Sequence, residues 1–298
     1  MSSTNQTSLS SLLLSIQHNA LFVISWFYVT FGIAGCFLNI LLFSKKQFRQ
    51  ISCCTYFLVA SVAMFIQLVI YSVPSIYAFY YFNPMSYYPI YCKVRMYLVL
   101  SPSLIYNWSY AAATFDRYAL SSANARLRQL AKVKIAVRVL VVICLVSLTF
   151  SIYVPVVYEI KSSTCSIFNN PSATLFTTLS TILLNTFIPT MIIIVYTLLI
   201  WKNLKEKRQR RQQLFNRENN NSVQQKQHRQ ALRMLFLQVI VFVFIRIPWL
   251  IYSINNVISS YITNKSSERI AIENFITAVA GAFSFLFPSI SFYVLKTS

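Results

Sequence analysis

Seven long apolar stretches, separated by short basic segments, constrain this chain more than any other feature. They lie near 20–43, 53–80, 92–119, 135–158, 174–201, 232–257 and 270–294. A helix rises about 1.5 Å per residue, so each stretch is long enough to cross roughly 30 Å of hydrocarbon. Backbone inside lipid must satisfy its own N–H and C=O groups, which leaves helices or closed barrels. The runs lack the alternation of barrel strands, so helices are expected. The sequence predicts an all-α, seven-transmembrane helix bundle over residues 19–298, preceded by a polar tail over 1–18. With 11% charged residues the chain stands well below the roughly one quarter usual for soluble domains.

Orientation follows from Lys and Arg. Lys45, Lys46 and Arg49 separate the first two stretches; Arg126, Arg128, Lys132 and Lys134 separate the third from the fourth, flanked by Arg117 and Arg138. Ten more lie between the fifth and sixth, and Lys296 follows the seventh. The opposite side holds only Lys93, Arg95, Lys161, Lys265 and Arg269, while Arg246 falls inside a span. The positive-inside rule puts the crowded side in the cytosol, the N-terminus outside and the C-terminus inside. A multi-pass protein of the plasma membrane is expected, with the bilayer as its solvent. The tail carries Asn5-Gln6-Thr7, a glycosylation sequon, which marks Asn5 as an outer site. Nothing at the N-terminus resembles the basic region and cleavage site of a signal peptide, so the first stretch is expected to act as a retained signal-anchor. Segment 202–230 is rich in Arg, Gln and Asn. It reads either as a solvated extension that attracts anionic headgroups or as a docking surface for a cytosolic partner.

Several function classes are excluded or weakened. The net charge of +20 is distributed between membrane spans, which argues against nucleic acid as a partner. Three glycines cannot build a phosphate-cradling loop, and His18 and His228 lie far apart without any Cys-x-x-Cys pair, so neither a cofactor nor a metal is expected. Asp116 is the only aspartate and no span holds a histidine beside a nucleophile, which argues against an intramembrane enzyme. A channel or transporter remains the alternative, weakened by the lack of internal repeats.

Cysteines sort by depth. Cys36 and Cys144 lie within spans, and Cys53 and Cys54 at an inner edge. Cys92 and Cys165 fall on the outer, oxidising side, where a disulfide between them is expected and two free thiols are the alternative. At the other end of the third span stand Asp116, Arg117 and Tyr118. A guanidinium at that border can hold a carboxylate in one state and release it in another, which makes the triplet a switch candidate.

Taken together these features resemble the rhodopsin-like family of G-protein-coupled receptors over about residues 20–295. Gly35 and Asn39 are similar to the family's first-span signature, Cys92 opens the third span, Asp116-Arg117-Tyr118 closes it, and Cys165 lies in the second outer loop. Pro155, Pro189, Pro248 and Pro288 fall in the fourth to seventh spans, where the family has helix-distorting prolines. The resemblance implies an extracellular ligand, a cytosolic heterotrimeric G protein, and a resting state in which Asp116 holds Arg117. It also implies that the sixth span swings at Pro248, with Pro189 and Pro288 as further bends. The departures are clear. Phe57 to Tyr71 contains no acid where the family binds sodium; Arg246 stands where the family has tryptophan; Phe287-Pro288 replaces Asn-Pro, with Tyr293 two places late. No tryptophan marks the fourth span, no acid precedes the sixth to lock Arg117, and the chain ends at Ser298, before the family's eighth helix.

Ligand-facing positions of the third span in the family correspond to Val99, Leu100 and Ser103. None is acidic, which argues against a monoamine and leaves peptides and small organic molecules open. Arg246 is the anomaly, because an arginine near mid-membrane faces a cavity or a partner. It reads either as the receptor of an anionic ligand group or as a structural hydrogen-bond donor to Asn107, Asn185, a tyrosine or carbonyls. Glu273, at the mouth of the seventh span, completes the pocket candidates.

Overall fold

The computed structural model describes residues 15–16, 18–161, 164–167, 171–213, 239–255, 259 and 267–296. Asn5, His228, Asn264 and most of segment 202–230 lie outside them. Among the described residues the seven long helices are α1 (His18–Ser44), α2 (Ser52–Tyr80), α3 (Pro89–Ser121), α4 (Val133–Val157), α5, α6 (Val239–Asn255) and α7 (Ser267–Lys296). α5 is assembled from three consecutive segments, Pro171–Ser180, a π-helical Thr181–Phe187, and Ile188–Gln213. Each expected span overlaps a helix over its described residues. Residues 232–238, 256 and 257 of the sixth span fall outside the described ones. The basic run after Trp201 continues α5 as helix through Gln213.

Length and apolarity suffice for membrane crossing in α1, α2, α4, α5 and α7, while α6 is shorter over its described residues. α3, at 33 residues, is too polar to join them. Its place in the bundle explains why. Ser101, Ser103, Tyr106, Asn107, Ser109, Thr114, Asp116 and Arg117 are all buried along it, facing protein rather than lipid. In contrast α4 turns Val141, Val142, Leu145 and Val146 outward, as a helix wetted by lipid requires. The core between α2, α3, α6 and α7 contains Met64, Leu68, Tyr106, Phe242 and Phe287, each nearly or fully buried. Tyr110, Phe242 and Phe287 form an aromatic triangle, with centroids 5.0 to 6.1 Å apart.

α1 meets α7 at very close range. A Cβ on Gly32 would stand 2.6 Å from Ser289 Oγ, so only glycine fits there. The π-turn Tyr28–Ile33 surrounds this point. Tyr28 donates to the Ala282 carbonyl, Cys36 to the Pro288 carbonyl at 3.4 Å, and Asn39 to Ser291 Oγ at 3.1 Å.

Between α4 and α5 the chain forms a hairpin, β1 (Tyr158–Lys161) against β2 (Thr164–Ile167), paired antiparallel. The sequence reading had no strands here. Ile160, Thr164 and Ile167 are β-branched and suit a strand, but four-residue strands give little periodic signal. Cys165 bonds to Cys92 across a Cα–Cα distance of 5.9 Å, tying β2 to the start of α3. Cys36, Cys53, Cys54 and Cys144 are free thiols.

Candidate functional site

Two sites share α3, one near each end. At the end opposite the disulfide, Arg117 donates to Asp116 Oδ2 from Nη2 at 2.6 Å and from Nε at 3.0 Å. Both residues are buried. Charges removed from water need partners for their remaining sites, and the first turn of α2 supplies one. Ser52 donates to Asp116 Oδ2 at 2.9 Å and accepts from Arg117 Nη2 at 3.1 Å. A single hydroxyl thus touches both ions. Tyr118 does not join them; its ring packs on Tyr196 of α5, with centroids 5.2 Å apart. Beyond it, Asn203 of α5 donates to Ser121 Oγ at 3.1 Å.

Midway along α3 a polar node joins three helices. Pro189 has no N–H, so the Asn185 carbonyl four residues before it loses its usual donor. In the π-helical turn Thr181–Phe187 the Ile188 N–H goes to the Leu183 carbonyl, which leaves the Leu184 carbonyl open to α3 as well. Trp108 Nε1 donates to the Leu184 carbonyl at 3.0 Å, and Asn107 Nδ2 to the Asn185 carbonyl at 2.8 Å. Asn107 Nδ2 also reaches Asn185 Oδ1 at 2.8 Å, which accepts from Ser103 as well at 3.0 Å. From α6, Arg246 Nη2 donates to Asn107 Oδ1 at 3.0 Å and to the Tyr106 hydroxyl. Its guanidinium carbon lies 5.4 Å from the Tyr106 ring centroid and 5.3 Å from that of Phe242. Arg246 stands two residues before Pro248, the bend candidate of α6.

Between this node and the disulfide end lies a cavity of about 500 Å³. Val99, Leu100 and Ser103 line it, together with Arg246 at the deep end. Glu273 does not line it. That carboxylate accepts from Arg269 one turn earlier on α7, at 3.0 Å, and from Ser259. Among the described residues, no carboxylate lines it. Tyr158 of β1 also faces the cavity.

Arg95, read from the sequence only as an outer cation, has a structural task. Pro74 deprives the Ile70 carbonyl of its helical donor. Arg95 Nε reaches that carbonyl at 3.4 Å, Nη2 donates to the Tyr71 carbonyl at 3.0 Å and Ser75 Oγ at 3.1 Å, and Nη1 approaches Met85 Sδ at 3.1 Å.

Residues 35–290 match the family described as 7 transmembrane receptor (rhodopsin family). The chain belongs to this rhodopsin family of receptors. A search of curated proteins finds no match. As a family member the protein is a multi-pass membrane receptor with a seven-helix bundle and a Cys92–Cys165 disulfide. Within the receptor, Pro288 is interior to α7, and Ser291 takes the contact with Asn39. Tyr293, two places later, instead turns toward α1, where its hydroxyl lies 3.4 Å from the Phe31 carbonyl. Sequence reasoning passed over Ser52, Trp108 and Arg95. Arg95 was legible in principle, since it serves a carbonyl freed by Pro74; Trp108 depends on the register of the π-turn, and Ser52 had no local signal.

Proposed function

We propose that this receptor transmits binding of an extracellular ligand to a cytosolic heterotrimeric G protein, and that the cavity and the Asp116–Arg117 pair are its two working sites. The observation that carries the reading is their placement on one helix. Tyr106 on the cavity floor and Asp116 are ten residues apart, roughly 15 Å along α3. The disulfide end would face outward, where oxidised cysteines persist, and the basic end would face the cytosol.

The mechanism is a population shift. Ligand favours one arrangement of α3, α5 and α6, and the G protein favours the same one, so each raises the other's affinity by an equal factor. In the resting arrangement Arg117 is held by Asp116 and Ser52. Release of Arg117, with α6 turning outward at Pro248, would open a crevice for the G protein. The ligand is a peptide or small organic molecule rather than a monoamine, because among the described residues the cavity offers no carboxylate to an ammonium group. The test is a panel of heterotrimeric G proteins in cells, with Arg117→Ala as the control. Signal from one heterotrimer, abolished by Arg117→Ala at equal surface expression, supports the proposal. A current or solute flux from the purified chain, without nucleotide exchange on any G protein, would refute it.

A further inference from the structure

Among the described residues the cavity is lined by two guanidinium groups and no carboxylate, yet the two guanidiniums are not equivalent. Arg95 spends Nε, Nη1 and Nη2 on Ile70, Met85, Tyr71 and Ser75. Arg246 uses only Nη2, on Tyr106 and Asn107, and its Nε is buried without any partner. It is 3% exposed, and its neighbours offer neutral oxygens and ring faces rather than a countercharge. A buried cation so placed is incompletely compensated, because two neutral acceptors and two rings do not neutralise it. Glu273 is turned to Arg269 and Ser259 instead. Asp116, the buried acid among the described residues, is held by Arg117.

Building on the receptor reading above, we infer that Arg246 is the anion-recognition residue of the cavity and that the ligand carries a carboxylate on an apolar or aromatic body. The carboxylate would accept from Nε, the donor left bare, in the side-on geometry that a guanidinium offers. Tyr71, Met96, Val99, Leu100, Trp249 and Phe285 supply the apolar wall for the rest of the molecule. Because the same guanidinium donates to Asn107, an arriving carboxylate competes with the α3–α6 bond at the node. Recognition and loosening of α6 are then one event.

The test measures binding directly and so does not depend on any G protein. Purified receptor in lipid nanodiscs is titrated with 4-phenylbutanoate, 4-phenylbutanol and 4-phenylbutylamine, with saturation-transfer NMR as the readout. The carboxylate is expected to bind about ten- to a hundredfold tighter than the alcohol, as one charge-assisted hydrogen bond implies. Arg246→Gln, checked for folding by its thermal midpoint, should abolish that preference, and Arg246→Lys should retain part of it. Equal binding of the three probes, a preference for the amine, no binding by any, or a carboxylate preference that survives in Arg246→Gln would overturn the inference. Any of these outcomes leaves G-protein coupling intact, and loss of coupling with preserved carboxylate binding would refute only the receptor reading.

Discussion

Ser52→Ala tests the resting clamp with the smallest change of volume. The Ser52 hydroxyl lies 2.9 Å from Asp116 Oδ2 and 3.1 Å from Arg117 Nη2, and both bonds go to charged groups. Such bonds contribute about 1.5–3 kcal/mol each when taken singly. They share one oxygen, and the direct ion pair at 2.6 Å survives the substitution, so their sum overstates the loss. A net cost of about 1–2 kcal/mol to the clamped arrangement is expected, a shift of roughly 5- to 30-fold toward the released one. Ligand-independent nucleotide exchange on a reconstituted G protein should rise by a similar factor. Ser52→Thr, which keeps the hydroxyl, should rise less. The reasoning fails if Ser52→Ala folds and reaches the surface normally yet exchanges nucleotide at the wild-type basal rate.

Asp116→Asn removes the countercharge itself; since breaking a buried pair costs about 3–5 kcal/mol, basal exchange should exceed that of Ser52→Ala and the thermal midpoint should fall further. Asn107→Leu strips the Asn185 carbonyl and Arg246 of a partner, and at about 1–3 kcal/mol per orphaned buried group a lower thermal midpoint is expected, readable by dye-based unfolding. Cys92→Ser opens a link between residues 73 apart, worth about 4 kcal/mol of chain entropy, so surface expression should drop and sensitivity to reductant should disappear. Gly32→Ala forces a Cβ against Ser289 Oγ and should cost about 1–3 kcal/mol, with Ser289→Ala recovering part of it in the double variant.

The bundle was legible because lipid leaves a chain so few choices: each apolar stretch had to be a helix, and the described residues of each stretch are largely helical. The Asp116–Arg117 ion pair was legible too, since a lone aspartate beside an arginine at the end of a span has few other partners. The polar node was only half visible. Arg246 announced itself by its cost in a membrane, and Asn107 and Asn185 were named as partners, but the carbonyls they serve could not be found without the π-turn before Pro189. Ser52 was invisible for a plainer reason. It reaches Asp116 from 64 residues away, and no pattern in the first turn of α2 distinguishes it from any other serine. Glu273 was misplaced by judging depth alone, because Arg269, four residues earlier on the same helix, claims it first.

The central claim is that α6 parts from the inner end of α3 when Arg117 is released. Spin labels at Leu130 and Ile240, both exposed, report that separation in a background with the four free cysteines replaced. Ser52→Ala, and nucleotide-free G protein added to the wild type, should each populate a longer distance absent from the resting receptor. An identical distance distribution in all three samples would contradict the account.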